Sequence, residues 1–171
     1  MRKIVYNSDN LKESDINEIV VRVKALLINH NNLLIGNESN IYQFVGGHKE
    51  VGETLEESLI CEISEETGIE VLRKEISVPF MKITYMNKDY PSIGSNRKSD
   101  IYYFVVKTNK NIDKDKIRLT NHEIENDYKI EKIPLLESID IIKKNIPNHK
   151  NNEVISRDMI IVIEEYLKNP N

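Results

Sequence analysis

Cysteine is nearly absent. Of 171 residues only Cys61 carries a thiol, which excludes an intramolecular disulfide and any zinc site built from several cysteines. No apolar run approaches the roughly 20 residues that a membrane-spanning helix needs, so no membrane partner is expected. Excess positive charge is also lacking. Lys and Arg number 24 against 28 Asp and Glu, for a formal charge of −4, and nucleic acid is not the expected partner. The opening stretch MRKIVYNSDN has no apolar h-region, and a cytoplasmic location is expected. There is no internal repeat, low-complexity tract or Pro/Gly/Ser linker, so a single domain over 1–171 is expected. Alanine occurs once, at Ala25, in a chain heavy in Ile, Lys and Asn. That bias reflects codon usage rather than function. With 39% apolar and 30% charged residues, the chain can bury a core.

The apolar pattern predicts mixed elements. Alternation at Val21, Val23 and Ala25 marks 19–28 as a strand, 29–32 as a turn and 33–36 as a second strand. A short apolar stretch at 42–45 stops at Gly46-Gly47. Helical spacing of Leu55, Leu59 and Ile63 predicts a helix over 54–67. Thr54 with Glu57 forms a capping box at its start, and Gly68 sits where a left-handed C-cap belongs. Stretches 76–86 and 100–106 read as strands, with a polar loop over 87–99 between them. Helices are predicted over 135–144 and 157–167. Elements mixed without regular alternation imply an α+β chain or a sheet between helix layers.

Charge is uneven. Residues 50–70 hold eight Glu and no Lys, Arg or Asp. Three of these, Glu62, Glu65 and Glu66, fall at helical spacings of three and four and share one face. They crowd the helix C-terminus, where the macrodipole disfavours anions. A hard divalent cation would relieve both penalties, since Mg²⁺ and Mn²⁺ prefer carboxylate oxygen. Spacing alone leaves two readings open, a metal site and an acidic solvated face.

From Gly47 the string GHKEVGETLEESLICEISEETGI resembles the Nudix box, G-x5-E-x7-R-E-U-x-E-E-x-G-U with U apolar. Gly47, Glu53, Glu62, Ile63, Glu65, Glu66, Gly68 and Ile69 match in register, and the box arginine is Cys61. The resemblance implies a Nudix-like α/β/α sandwich with a mixed β-sheet between helices. It also implies Mg²⁺- or Mn²⁺-dependent hydrolysis of the pyrophosphate linkage in a nucleoside diphosphate joined to another group. By position, Glu62, Glu65 and Glu66 would be catalytic and hold the metal, joined by the backbone carbonyl of Gly46. Gly47, Glu53, Cys61 and Gly68 would be structural. The implied partner is a small nucleotide diphosphate substrate, with a second copy of the chain in a homodimer as a further option.

Several residues carry weaker readings. A water nucleophile needs a base. Glu62 is one candidate, and Glu123 and Glu125, in the polar stretch NHEIEND, are others, although a solvated loop is the simpler reading for that pair. Arg97, in the predicted 87–99 loop, is a candidate for substrate phosphate. Tyr85 lies about a residue from the tyrosine of diadenosine polyphosphate hydrolases and reads as a strand residue. His30, His48, His122 and His149 have no ligand spacing and read as surface or turn residues. Cys61 cannot make the charge-assisted bonds of an arginine to Glu53, so weakened catalysis or a compensating contact is expected, without thiol chemistry. The competing readings are a nucleotide-binding sensor that has lost catalysis and an unrelated acidic-helix interaction protein. Three intact glutamates favour the hydrolase over the sensor, and the in-register glycines disfavour the interaction protein.

Overall fold

Strand β2 (Glu18–Asn29) builds both layers of the molecule by alternation. Val23, Ala25 and Leu27 turn to one face and join a core with Leu59 and Ile63 of helix α1 (Leu55–Thr67). Leu26 and Ile28 turn to the other face. There they meet Ile142 of α3 (Ser138–Asn145) and Met159, Val162 and Ile163 of α4 (Asn152–Lys168). A period of two on a strand between apolar helix stripes gives a sheet with a helix layer on each side. The computed structural model describes residues 1–148 and 152–170.

The remaining strands are β1 (Arg2–Tyr6), β3 (Asn32–Glu38), β4 (Ile41–Phe44), β5 (Met81–Asn87), β6 (Arg97–Thr108) and β7 (Lys129–Pro134). The sheet order is β1-β5-β6-β2-β3-β4, with β7 paired to β3. Parallel pairs β1–β5 and β2–β6 and antiparallel pairs elsewhere make it the expected mixed sheet. One edge of β3 is shared: Asn32–Leu34 pairs β2, and Ile35–Glu38 pairs β4. Past Leu34, β3 therefore parts from β2, and the chain after β4 runs back along β2 through Gly46-Gly47, with Val45 O and Gly47 O accepting from Ala25 N and Val23 N.

Helix α1 has the predicted ends. Thr54 Oγ1 accepts from Glu57 N at 3.2 Å, Glu57 Oε2 accepts from Thr54 N at 2.8 Å, and Gly68 closes the helix at φ 69°.

Other expectations need correction. The strand expected over 76–86 begins only at Met81. Pro79 has no N–H to give a ladder, and Ile76 makes a single bridge to Val106. The expected loop over 87–99 loses Arg97–Ser99 to β6, because Glu18–Val20 of β2 offers them a parallel partner. Helix α3 starts at Ser138 rather than 135, since Leu135 N is bonded to Asn31 O. Helix α4 begins earlier than predicted, at Asn152. The polar stretch NHEIEND is a short helix, α2 (Asn121–Glu125), capped by Thr120. Strand β1 went unread because its pairing with β5 is remote in sequence. His149 lies outside the described residues.

Candidate active site

Beside this junction lies a cleft of about 550 Å³, within the range of small-molecule sites. Alternation on β2 sends Arg22 and Lys24 to the face opposite Val23, and both line this cleft. Gly46 and Gly47 form its floor, and α1 brings Glu62, Glu65 and Glu66 against that floor. Gly46 sits at φ 127°, and a Cβ there would strike the Val23 carbonyl. A Cβ on Gly47 would overlap the Glu62 carboxylate. The two glycines thus let strand backbone and helix carboxylates approach each other.

Glu66 is 4% exposed. Its Oε1 accepts from Gly46 N at 2.7 Å, and its Oε2 is buried without a hydrogen-bond partner. Burial pushes its carboxyl well above the usual range, opposed by the Lys24 ammonium. Glu62 is half-buried, and burial raises its carboxyl to about 7, again against Lys24 and helped by Glu65 and Glu123. Glu65 is exposed at the rim. Lys24 Nζ donates to Phe44 O at 2.9 Å, to Gln43 Oε1 at 3.5 Å and to Gly46 O. Desolvation lowers its pKa, while Glu66 and Glu62 act to raise it.

Among the described residues, no three His, Cys, Asp or Glu side chains stand together as a group that would hold a metal ion. The donor set still suits one. Glu62 and Glu66 supply hard oxygens, Glu66 Oε2 lacks a partner, and the Gly46 carbonyl faces the same space. The obstacle is Lys24, which occupies that carbonyl.

The cleft continues past the charged floor to an apolar end. Phe44, Ile101 and Tyr103 come from the sheet, and Ile155 and Met159 come from α4. The Phe44 and Tyr103 rings meet edge-to-face at 6.0 Å. Asp158, also in this wall, accepts from Tyr85 at 2.6 and 2.8 Å. Tyr85 is thus a strand residue on β5 that anchors α4.

The sequence-predicted residues divide here. Glu62, Glu65, Glu66, Gly46, Gly47 and Glu123 share the cleft. Glu125 is exposed and off it. Arg97 is a correction, because it stands in β6 rather than a loop. Its Nη2 donates to Glu18 at 2.7 Å and its guanidinium lies over the Tyr90 ring, away from the cleft lining. Glu53 accepts from Ser58 Oγ at 2.5 Å. Cys61 is exposed, and desolvation followed by the carboxylates of Glu53 and Glu65 raises its thiol pKa. His48 and His122 are exposed, as expected, and stand at the cleft. His48 accepts from Arg22 Nε at 3.2 Å, His122 Nδ1 lies 3.1 Å from Glu38, and both line the cleft. His30 does stand in the β2–β3 turn, at φ 55°. Arg22, Lys24 and Asp158 went unread as site residues. The β2 alternation was the available signal for the first two, and nothing local marked Asp158.

The sequence pattern of the NUDIX domain family matches residues 19–146, so the chain belongs to this family. Solved structures with the same fold agree at low identity. The mutator MutT protein of Bacillus halodurans is 19% identical, with TM-score 0.52 over 71% of this chain and 72% of that one. The NUDIX domain of Shewanella oneidensis NrtR, solved with ADP ribose, is 14% identical, with TM-score 0.53 over 77% and 82%. The E. coli ORF135 protein is 13% identical, with TM-score 0.51 over 75% and 82%. No curated protein matches the chain. Among the described residues no helix is long and apolar enough to cross a membrane.

Proposed function

We propose that this chain hydrolyses the pyrophosphate linkage of a nucleoside diphosphate joined to another group, using Mg²⁺ or Mn²⁺. The observation that carries the reading is the two-part cleft, with carboxylates facing cations over the glycine floor and an apolar end beside them. A pyrophosphate with a nucleoside attached has the complementary division. Its anionic oxygens suit Arg22 and Lys24, and its base and sugar suit Phe44, Tyr103 and Met159. The fold neighbour holding ADP ribose supports this ligand class. Glu62, Glu66 and the Gly46 carbonyl would hold the ion, with Glu65 reaching in from the rim. When bound, such an ion neutralises phosphate charge and lowers the pKa of a water ligand. Glu62 and Glu123 are the candidate bases, since both carboxylates line the cleft. Glu53 and Ser58 hold the start of α1, and Gly68 its end.

The test is turnover of ADP ribose, a dinucleoside polyphosphate and a nucleoside triphosphate with each metal, read as nucleoside monophosphate or phosphate release. Release that Glu66→Gln abolishes supports the reading. Tight nucleotide binding without turnover of any substrate would replace it with the sensor reading. Neither binding nor turnover would remove both.

A further inference from the structure

Lys24 is the one cleft residue whose placement conflicts with the ligand set just proposed. Its ammonium donates to the Gly46 carbonyl, beside the two carboxylates that would share an ion with it. Arg22, two residues earlier on the same strand face, bonds to His48 instead. The contact is therefore particular to Lys24 and not a general property of the cationic wall.

We propose that Lys24 is a placeholder for the divalent ion: in the metal-free chain its ammonium holds the Gly46 carbonyl, and ion binding requires it to release that carbonyl. The inference rests on the reading of Gly46 and Glu66 as ion ligands. Three physical points carry it. The ammonium and the ion would need the same oxygen, since Lys24 Nζ donates to the backbone carbonyl assigned as a ligand. Two cations on one carbonyl oxygen repel strongly in a site partly closed to water. The release is also a short step, because the ammonium keeps Phe44 O and Gln43 Oε1 as acceptors while its flexible stem turns. A lysine with one carbonyl partner would be trapped, and this one is not.

The experiment measures ion affinity directly. Mn²⁺ binding is followed by electron paramagnetic resonance for the wild type, Lys24→Met and Glu66→Gln. In parallel, the ¹⁵Nζ resonance of Lys24 and the amides of Gly46 and Gly47 are followed in the wild type during a Mg²⁺ titration. Removing the competing cation should tighten Mn²⁺ binding about tenfold or more, by the Coulomb argument. The Lys24 Nζ resonance should move over the same Mg²⁺ range as the two glycine amides. If Glu66→Gln weakens Mn²⁺ binding but Lys24→Met binds no more tightly than wild type, the placeholder is overturned and the ligand assignment stands. An unmoved Nζ resonance while the glycine amides shift overturns it equally, and needs no folded variant. If neither wild type nor Lys24→Met binds Mn²⁺, the ligand assignment fails and takes the placeholder with it.

Discussion

The hydroxyl of Ser58 donates to the Glu53 carboxylate at 2.5 Å, one helical turn before Cys61. Ser58 is 1% exposed. The loop that carries the glycine floor is tied by this bond to the helix that carries the carboxylates.

Ser58→Ala should leave Glu53 with no donor from the helix. Loss of a hydrogen bond to a charged group costs about 1.5–3 kcal/mol. In a chain of this size that is a fall of roughly 3–12 °C in Tm. Thermal melting checks it, and an unchanged Tm would mean the contact contributes nothing.

Cys61 is exposed, so Arg at this position meets no core to overpack. Cys61→Arg should therefore fold normally and recover part of the stability lost in Ser58→Ala. Cys61→Ala should stay within about 0.5 kcal/mol of wild type, as surface changes usually do. A double-mutant cycle over positions 58 and 61 measures the coupling. Additive effects would show that the two side chains do not serve the same carboxylate.

Without metal, stability should fall as pH rises from 4.5 to about 7, because burial raises the Glu62 carboxyl across that window. In this range the folded chain holds a proton that the unfolded chain has lost. Glu62→Gln removes that loss and should stabilise the metal-free protein by about 1–2 kcal/mol above the window, discounted for partial exposure. Melting curves in a chelator across the window check the sign. A slope unchanged by Glu62→Gln would contradict it.

The candidate bases separate by position. Glu62→Gln should lower kcat by about 10²-fold or more, the usual scale of general acid–base help. Glu125→Gln, off the cleft, should turn over like wild type. Glu123→Gln decides between the two cleft carboxylates. A loss in Glu123→Gln with none in Glu62→Gln would move the base to α2. Glu123 Oε2 also accepts from Thr120 N at 2.6 Å, so its melting temperature must be read alongside its rate.

Tyr85→Phe should leave the buried Asp158 carboxylate without the one hydroxyl donor that its two oxygens share. A cost of about 1.5–3 kcal/mol is expected for that loss. Because Asp158 lies in the apolar wall of the cleft, KM for a nucleotide substrate should rise more than kcat falls. Arg157, whose Nη2 lies 3.4 Å from Asp158 Oδ1, keeps the carboxylate from being wholly bare. Equal KM values would detach α4 from substrate binding.

Local signals decided what the sequence could settle alone. The spacing of Leu55, Leu59 and Ile63, the Thr54–Glu57 capping box and Gly68 defined α1 and put three glutamates on one face, because helix periodicity and capping act within a few residues. The in-register glycines then supplied the family. Strand β1, the extra length of β6 and the pairing of Arg97 with Glu18 depend on partners about eighty residues away, and no short window contains them. The same holds for the site. Lys24 and Arg22 came to the cleft only when the chain after β4 paired back onto β2, and Asp158 only when α4 folded over the sheet. Glu66 and Lys24 acquire opposed shifts because burial removes their water at a junction that three separate elements make, and desolvation is a property of the assembled fold.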